Sequence, residues 1–336
     1  METIGTPLLW GLFLAFILGM LALDLGVFHR REHRVGTREA TIWTLVWIAL
    51  SLAFNLWVYV EFGPRHGLEF FTGYVIEKVL SVDNIFVFIV IFRYFAVKPE
   101  YQHRVLFWGI LGALVLRGIF IAAGTALITR FDWVIFVFGA FLVYTGFKIL
   151  RAHEAEVHPD RNPVLKLFRR FVPMTSDYRG KHFFVREGGR LLATPLLLVL
   201  VVVEATDVVF AVDSIPAIFG ITHDPFLVFT SNIFAILGLR ALYFLLAGLM
   251  HKFRYLSFGL GLVLVFIGVK MLIHDWVEIP IAASLGVVAF LLGGSIVLSL
   301  LRPGSPEEGP GDPLAEPETD FQHSPAAREL EETEKR

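Results

Sequence analysis

The chain has 336 residues, of which 56% are hydrophobic and only 18% are charged, and its mean hydropathy is +0.67. This composition excludes a soluble globular domain and indicates a helical membrane protein with several spans, whose main partner is the lipid bilayer. The chain contains no cysteine, so disulfides, thiolate metal sites and thiol redox chemistry are excluded. Nothing in the composition indicates a nucleic-acid partner.

Nine apolar runs predict an all-α transmembrane bundle of about nine spans. They cover residues 8–28, 41–60, 70–92, 105–128, 133–150, 191–219, 225–250, 256–273 and 279–301. The loops between them alternate in Lys and Arg content, and the fifth, residues 152–190, is long and strongly basic. Since Lys and Arg mark cytoplasmic loops, the N-terminus is predicted outside and the C-terminus inside.

Part of the chain repeats. Asp83 and Asp213 are 130 residues apart in matching stretches, Arg117 and Arg240 are 123 apart, and Lys148 and Lys270 are 122 apart. Spans three to five therefore repeat as spans six to eight, and an odd number of spans gives the second copy the opposite orientation. Inverted repeats are typical of secondary transporters. A gene duplication within a passive membrane scaffold is the alternative.

This pattern predicts six parts. Two helices (1–62) precede the first three-helix repeat (63–151), the basic loop (152–190), the second repeat (191–275), a last helix (276–301) and a tail (302–336). The tail holds ten acidic and four basic residues and is rich in Pro and Gly, so we expect it to be disordered.

The two repeats carry acidic stretches inside apolar runs. Residues 203–217 read V-E-A-T-D-V-V-F-A-V-D-S-I-P-A, and residues 76–86 read I-E-K-V-L-S-V-D-N-I-F. An intramembrane carboxylate costs about 2.5–3.5 kcal/mol on insertion scales and is functional by default, so a bound cation is expected. The candidate ligands are Glu77, Asp83, Asn84, Glu204, Asp207, Asp213 and Ser214.

The spacing of the acids raises a geometric problem. Asp207 and Asp213 are six residues apart, which places them about 120° from each other on an ideal helix. Pro216 removes the hydrogen bond to the Val212 carbonyl and clashes with that carbonyl. We therefore predict that the helix unwinds between Asp207 and Ala217, so that freed backbone oxygens join the carboxylates.

Other polar groups within the spans allow a structural interpretation. Arg117 and Arg240 could pair with the acids as buried salt bridges, although the acids outnumber them. Asn232 could be a ligand or an interhelical hydrogen-bonding group. Asp24 could be a gate or relay acid, or a helix-end residue paired with a nearby arginine.

The ligand types restrict the ion. All eleven histidines lie in loops, at span ends or in the tail, and with no cysteine the remaining donors are oxygens, which suit Mg²⁺, Ca²⁺ or Mn²⁺. His153, Glu154, Glu156 and His158 could form a metal sensor in the basic loop, but a solvated loop explains them as well. Residues alone thus predict a transporter of divalent cations or protons.

The stretches E-K-V-L-S-V-D-N-I-F-V-F, E-A-T-D-V-V-F-A-V-D-S-I-P-A and S-N-I-F-A-I-L-G-L-R-A-L-Y-F resemble the TerC family of bacterial inner-membrane proteins, most closely its Alx-type members. The resemblance covers about residues 1–301. It implies a Mn²⁺ exporter of the bacterial plasma membrane, with Glu77, Asp83, Glu204, Asp207 and Asp213 as the family's acids, in a family named for tellurite resistance.

Export coupled to proton entry is expected, because clustered carboxylates repel each other and must release protons when a metal binds. An alternative from another class is a membrane scaffold or stress-response protein that recruits a cytoplasmic partner through the basic loop, with the acids in structural salt bridges. An enzyme acting on tellurite is a third interpretation, but the chain has no thiol, no cofactor motif and no in-membrane histidine to support it. We therefore expect no enzymatic activity and no bound cofactor apart from the transported cation.

Overall fold

Ten α-helices and one β-hairpin make up the computed structural model, which describes residues 3–28, 36–151, 172–246, 255–301, 321 and 324–327. The helices are α1 (Pro7–Phe28), α2 (Thr37–Phe62), α3 (Pro64–Tyr94), α4 (Pro99–Arg130), α5 (Val134–Arg151), α6 (Pro195–Phe219), α7 (Pro225–Leu237), α8 (Leu239–Leu246), α9 (Leu256–Leu272) and α10 (Ile281–Leu301). The strands β1 (Phe184–Glu187) and β2 (Arg190–Ala193) precede α6.

The helices confirm the predicted fold class, an all-α bundle with several membrane spans. Within the described residues, five helices are long and apolar enough to cross a bilayer, and the bent pair α7–α8 would make a sixth. Two further apolar helices, α9 and the segment Pro7–Ala22 of α1, are shorter. The predicted count of nine spans and the predicted repeats stay predictions.

Local sequence explains where the helices begin. Five of them, α1, α3, α4, α6 and α7, begin with proline, whose missing N–H group is not needed in the first turn. A single residue, Gly63, joins α2 to α3 with φ of +96°, a backbone conformation that other residues rarely adopt. The one-residue joint at Gly63 therefore keeps the end of α2 next to the start of α3.

Contacts between loops show that alternate connections lie on the same side of the bundle. The Thr222 hydroxyl donates to Glu69 near the start of α3 at 2.9 Å, and Thr3 donates to Asp224 at 2.8 Å. The N-terminus, the α2–α3 joint and the α6–α7 loop are therefore neighbours. This arrangement agrees with the alternation of the loop charges, and it makes α3 and α6 antiparallel neighbours.

The opposite side carries the hairpin. The Tyr178 hydroxyl donates to the Phe95 carbonyl oxygen at 2.7 Å, just beyond the end of α3. The ring of Tyr178 also contacts Phe321, a buried residue of the acidic tail, at a centroid distance of 5.3 Å. Phe321 and residues 324–327 thus have a defined place, although the tail was expected to be disordered. Burial raises the pKa of Tyr178.

The hairpin corrects one predicted boundary. The sixth span was predicted to begin at residue 191, but Leu191 and Leu192 lie in β2, and α6 begins at Pro195. The apolar run continues through this strand, so hydropathy alone could not separate the strand from the helix. Gly188 and Gly189, both with positive φ, form the turn that permits the hairpin.

The predicted unwinding near Pro216 is wrong. Helix α6 is continuous from Pro195 to Phe219 and passes through Val212 and Asp213. Pro216 lies three residues before the end of α6, so the backbone it disturbs belongs to the last turns, where a proline is more easily accommodated. The break lies in the following span, where α7 and α8 meet at Gly238 with a bend of 41°.

Helices α5 and α9 form the most extensive helix pair. A Cβ atom on Gly139 would come within 2.9 Å of the Gly268 carbonyl oxygen, and one on Gly146 within 2.7 Å of the Gly261 carbonyl oxygen. Glycine at these positions therefore lets the two backbones touch. The offset of 122 residues that relates Lys148 to Lys270 also relates Gly139 to Gly261 and Gly146 to Gly268. The contacts run crosswise, from Gly139 to Gly268 and from Gly146 to Gly261, as expected of helices related by a two-fold axis.

Candidate functional site

A buried arginine joins four helices near the middle of the bundle. The Arg117 side chain on α4 is only 1% exposed. Its Nε donates to Asp207 Oδ2 at 3.2 Å and its Nη2 donates to Asp207 Oδ1 at 3.0 Å, a two-point ion pair with α6. Its Nη1 donates to the Glu77 carboxylate on α3 and to Asn232 Oδ1 on α7, the latter at 3.0 Å. We call Glu77, Arg117, Asp207 and Asn232 the central cluster.

A third carboxylate lies beside the central cluster. Glu204 precedes Asp207 by three residues on α6, so the two side chains share a face. The Glu204 carboxylate packs directly against Gly112 of α4, where a Cβ atom would overlap it. Its Oε2 atom is buried and has no hydrogen-bond partner within the described part of the chain. The sequence spacing thus correctly placed Glu204 and Asp207 together.

Within the described residues, further buried oxygens without hydrogen-bond partners lie along α3 and α6. On α3 they are Glu77 Oε2, Ser81 Oγ and Asn84 Oδ1, at spacings of four and three residues that place them on one face. On α6 the corresponding atom is Ser214 Oγ, seven residues after Asp207. Because α3 and α6 are antiparallel, Asn84 and Ser214 lie about 10 Å from the central cluster in opposite directions.

This row of oxygens resembles a path with the charged cluster at its middle. Buried polar atoms without partners are uncommon and cost free energy, so each of them requires an explanation. Hydroxyl, amide and carboxylate oxygens are the ligands that Mg²⁺, Ca²⁺ and Mn²⁺ prefer. These residue types are therefore suited to a hard cation that has lost part of its hydration shell.

Asp213 lies apart from the central cluster. Its half-buried carboxylate interacts with the Thr145 side chain on α5 and, over a longer distance, with Lys148. This separation follows from the continuous helix α6, on which a six-residue spacing turns Asp213 away from Asp207. The predicted single site containing both acids therefore loses its geometric basis, and Asp213 becomes a separate acidic position.

Asp83, Asp24 and Arg240 are the three remaining site residues predicted from the sequence. Asp83 lies in α3 and Asp24 in α1, but their side chains lie outside the described residues. Arg240 is buried in the first turn of α8, directly after the break at Gly238. Within the described residues, no group of three or more His, Asp or Glu side chains forms a ready metal site.

The site predicted from the sequence does not include two nearby residues, Lys78 and Ser81. Lys78 lies beside Glu77, and its Nζ donates to the Ala235 carbonyl oxygen at 3.2 Å, close to the break between α7 and α8. Ser81 completes the row of oxygens between Glu77 and Asn84. Gly238 was a usable signal for the break, and the spacing from Glu77 to Ser81 to Asn84 was a usable signal for the row.

A cavity of about 830 Å³, lined by both polar and apolar side chains, opens at the end of the bundle where α3 begins. It is lined by Arg65, His66, Glu69, Thr222, His223, Lys270, His274 and Glu278, among others. Arg65 donates to Glu69 at 3.0 Å, so this carboxylate is already paired. Ser214 on α6 lies on the cavity side of the central cluster, so the cavity is at the Ser214 end of the row of oxygens.

An apolar helix bundle with a charged cluster at its centre defines an integral membrane protein that spans the bilayer several times. The model of the integral membrane protein TerC family matches residues 62–305. The chain therefore belongs to the TerC family.

Related proteins are similar over nearly their whole lengths. An uncharacterized membrane protein of Myxococcus xanthus is 56% identical over 305 residues, which are 90% of this chain and 96% of the relative. Proteins named putative membrane-bound redox modulator Alx from Salmonella typhi and Escherichia coli K12 are 52% and 51% identical over 308 residues, 89% of this chain and 96% of each relative. No solved structure matches the chain.

Proposed function

We propose that this protein exports a divalent metal cation, with Mn²⁺ as the expected cargo, across the bacterial plasma membrane. The observation that carries the proposal is a set of three buried or half-buried carboxylates: Glu77 and Asp207, which both bind the Arg117 guanidinium group, and Glu204, which lies beside Asp207 on α6. When ionised, they exceed the charge of Arg117 by two, which equals the charge of one divalent cation. The nearby Lys78 is not paired with these carboxylates, since its Nζ donates to the Ala235 carbonyl oxygen on α7.

The unpartnered oxygens support the same function. Glu77 Oε2, Ser81 Oγ, Asn84 Oδ1, Glu204 Oε2 and Ser214 Oγ would each gain a ligand or a water molecule if a hydrated cation moved along the bundle. Manganese is preferred among hard cations because the motif acids resemble those of the TerC family. The orientation with the basic loop inside follows from the loop charges.

Coupling to protons is part of the proposal. Three carboxylates within one helix bundle repel one another, and a bound divalent cation would displace any proton they share. Export should therefore accelerate when protons are supplied on the outer side. Asp83 and Asp213 are proposed as further acids on the cation path, on either side of the central cluster.

The Salmonella typhi and Escherichia coli relatives are named putative redox modulators. This chain contains no cysteine, so a comparable role here could not use thiol chemistry. Movement of a redox-active metal such as manganese would give an indirect route to such an effect.

A membrane scaffold is the second candidate function, and the ion pairs of Arg117 with Glu77 and Asp207 favour it. In a scaffold these pairs would only hold α3, α4 and α6 together. A scaffold would act through its basic cytoplasmic loop, residues 152–190, much of which lies outside the described residues.

Metal flux into proteoliposomes tests the proposal. Purified protein should move Mn²⁺ across the membrane faster than protein-free vesicles, and an imposed pH gradient should change the rate. Glu204→Gln keeps the size of the side chain and should abolish flux, whereas Glu187→Gln in the exposed hairpin should leave it unchanged. Flux that is equal in wild type and empty vesicles would refute transport and favour the scaffold.

A further inference from the structure

Arg117 occupies the carboxylates that a transported cation would need. All three nitrogen atoms of its guanidinium group donate hydrogen bonds within the central cluster. Both oxygens of Asp207 and one oxygen of Glu77 accept these bonds. Arg117 is therefore bound as a cation would be bound, by two carboxylates and the amide oxygen of Asn232.

A metal ion and the guanidinium group cannot use these oxygens together. Mn²⁺ is normally held by about six oxygens in octahedral geometry. Within the described residues, the buried carboxylate oxygens of this region without hydrogen-bond partners are Glu77 Oε2 and Glu204 Oε2. Two oxygens are too few for such an ion, and the positive charges of the metal and the guanidinium group repel each other. The guanidinium group must therefore release the oxygens of Glu77 and Asp207 before the site is complete.

We propose that Arg117 is a tethered counter-ion that exchanges with the transported cation. The guanidinium group holds Glu77 and Asp207 while the protein is empty, and it releases them when the cation binds. This inference rests on the proposed transport function and adds a mechanism for the return of the empty protein.

Asn232 gives the released guanidinium group a contact outside the carboxylates. Its Oδ1 atom already accepts from Arg117 Nη1 at 3.0 Å, and it lies on α7, not on the helices that carry the acids. A neutral amide can keep this hydrogen bond while the two carboxylates turn to the metal. The side chain of Arg117 then needs to shift without leaving the central cluster.

The exchange has a specific consequence for the transport cycle. An empty site without Arg117 would leave three carboxylates uncompensated in the bundle interior, which is costly in a low dielectric. The same site with a divalent cation would carry a net charge of −1 instead of −3. Without Arg117, the loaded protein should therefore change conformation more readily than the empty protein.

Two transport modes separate these steps. Net efflux of Mn²⁺ from vesicles requires the empty protein to return, whereas one-for-one exchange of radioactive Mn²⁺ against unlabelled Mn²⁺ requires only the loaded protein. Both are measured in proteoliposomes at equal alkaline pH on the two sides, so that protons do not replace the guanidinium group. For Arg117→Gln we expect net efflux to fall about tenfold or more, which is about 1.4 kcal/mol of added barrier, while exchange stays within about twofold of wild type.

Two further variants guard against misfolding and non-specific effects. Arg117→Lys keeps the charge but cannot form the two-point pair with Asp207, so its net efflux should lie between wild type and Arg117→Gln. If Arg117→Gln does not fold, Arg117→Lys carries the test, and its net efflux must fall more than its exchange. Arg130→Gln, at the exposed end of the same helix, is the matched control and should change neither mode.

The outcomes separate the inference from the proposed function. Loss of net efflux with preserved exchange supports the tethered counter-ion. Parallel loss of both modes in a folded Arg117 variant, or preservation of both, overturns it while leaving transport intact. Absence of both modes in the wild-type protein refutes the proposed function itself.

Discussion

Arg117 on α4 and Asp207 on α6 form a two-point ion pair, with Nε–Oδ2 and Nη2–Oδ1 distances of 3.2 and 3.0 Å. Both side chains are almost fully buried. Such a pair is costly to break from one side, because the remaining charge stays buried without compensation. The pair therefore links the stability of the bundle to the chemistry of its centre.

Asp207→Asn should destabilise the protein by about 3–5 kcal/mol, because it leaves the guanidinium group with one carboxylate fewer in a buried site. The double variant Arg117→Gln/Asp207→Asn should cost clearly less than the sum of the single variants. Thermal unfolding in detergent, followed for the four proteins of this cycle, measures the coupling.

The exposed pair between Arg179 and Glu187 provides the control for this cycle. Its atoms are 2.8 Å apart, but both side chains are 45% exposed. Glu187→Gln should therefore cost less than about 1 kcal/mol. Additive effects of the Arg117 and Asp207 substitutions would show that the buried pair contributes no coupling.

Gly112→Ala should reduce Mn²⁺ export several-fold while the protein still inserts, because the new Cβ atom displaces the Glu204 carboxylate. The matched control is Gly118→Ala on the same helix, whose Cβ atom would meet only Phe229, at an ordinary 3.5 Å. Cellular manganese content after induction of each variant measures export. Equal manganese content in the two strains would mean that the position of Glu204 does not matter.

The stability of the protein should fall as pH decreases below about 6.5, the ordinary pKa of histidine, partly because of His223. Burial lowers the pKa of His223, and the neighbouring His274 and Lys270 lower it further, while Glu69 opposes them. A lowered pKa in the folded state means that the unfolded chain binds the proton first. The contribution of His223 is therefore present above the unfolded pKa and is lost as pH falls through the folded pKa.

Thermal unfolding midpoints across this pH range, compared between wild type and His223→Gln, measure this contribution. The variant should show a weaker pH dependence than wild type. His182→Gln, at an exposed position near the hairpin, should leave the slope unchanged. A His223→Gln protein with the wild-type slope would assign the effect to other groups.

Reporter fusions test the orientation in the membrane. Alternating loop charges predict that fusions after Arg65, Arg130, Thr222 and Asp275 lie outside, and that fusions after Glu39, Val97, Asn162 and Lys252 lie inside. The contact of Thr222 with Glu69 already requires the second and sixth loops to share a side. Reversal of two or more reporters would overturn the predicted inverted repeat.

The sequence was sufficient to find the central cluster. Charged residues inside apolar helices must meet a partner, so Glu77, Asp207 and Arg117 could be expected to lie together once the helices were recognised. The sequence did not decide between a salt bridge and a cation site, because both require the same residues at the same depth. The contacts of Arg117 show that the salt bridge forms, while within the described residues several buried oxygens beside it have no hydrogen-bond partner.

The prediction from sequence failed where the effect of a proline or a glycine on the backbone depends on its position within a helix. Pro216 was expected to open α6, but it lies in the last turns, where few hydrogen bonds remain to be lost. Gly238 is a weaker sequence signal for a helix break than a proline, yet α7 and α8 bend at this residue. The hydrogen bond from Lys78 to the Ala235 carbonyl oxygen lies close to that bend and could not be predicted from the neighbours of Lys78 in the chain.

The crosswise glycine contacts between α5 and α9 determine which parts of the bundle can move. Sliding of one helix along the other would bring a side chain such as Val143 or Val265 against the opposite backbone, since these valines already flank the glycines. The two helices should therefore behave as one rigid strut. Any change of shape that opens the bundle alternately to its two ends must occur at the interfaces around this strut, including the one where Asp213 meets Thr145. A pair of distance labels placed on α5 and α9 would then serve as an internal ruler, constant in length while other distances change.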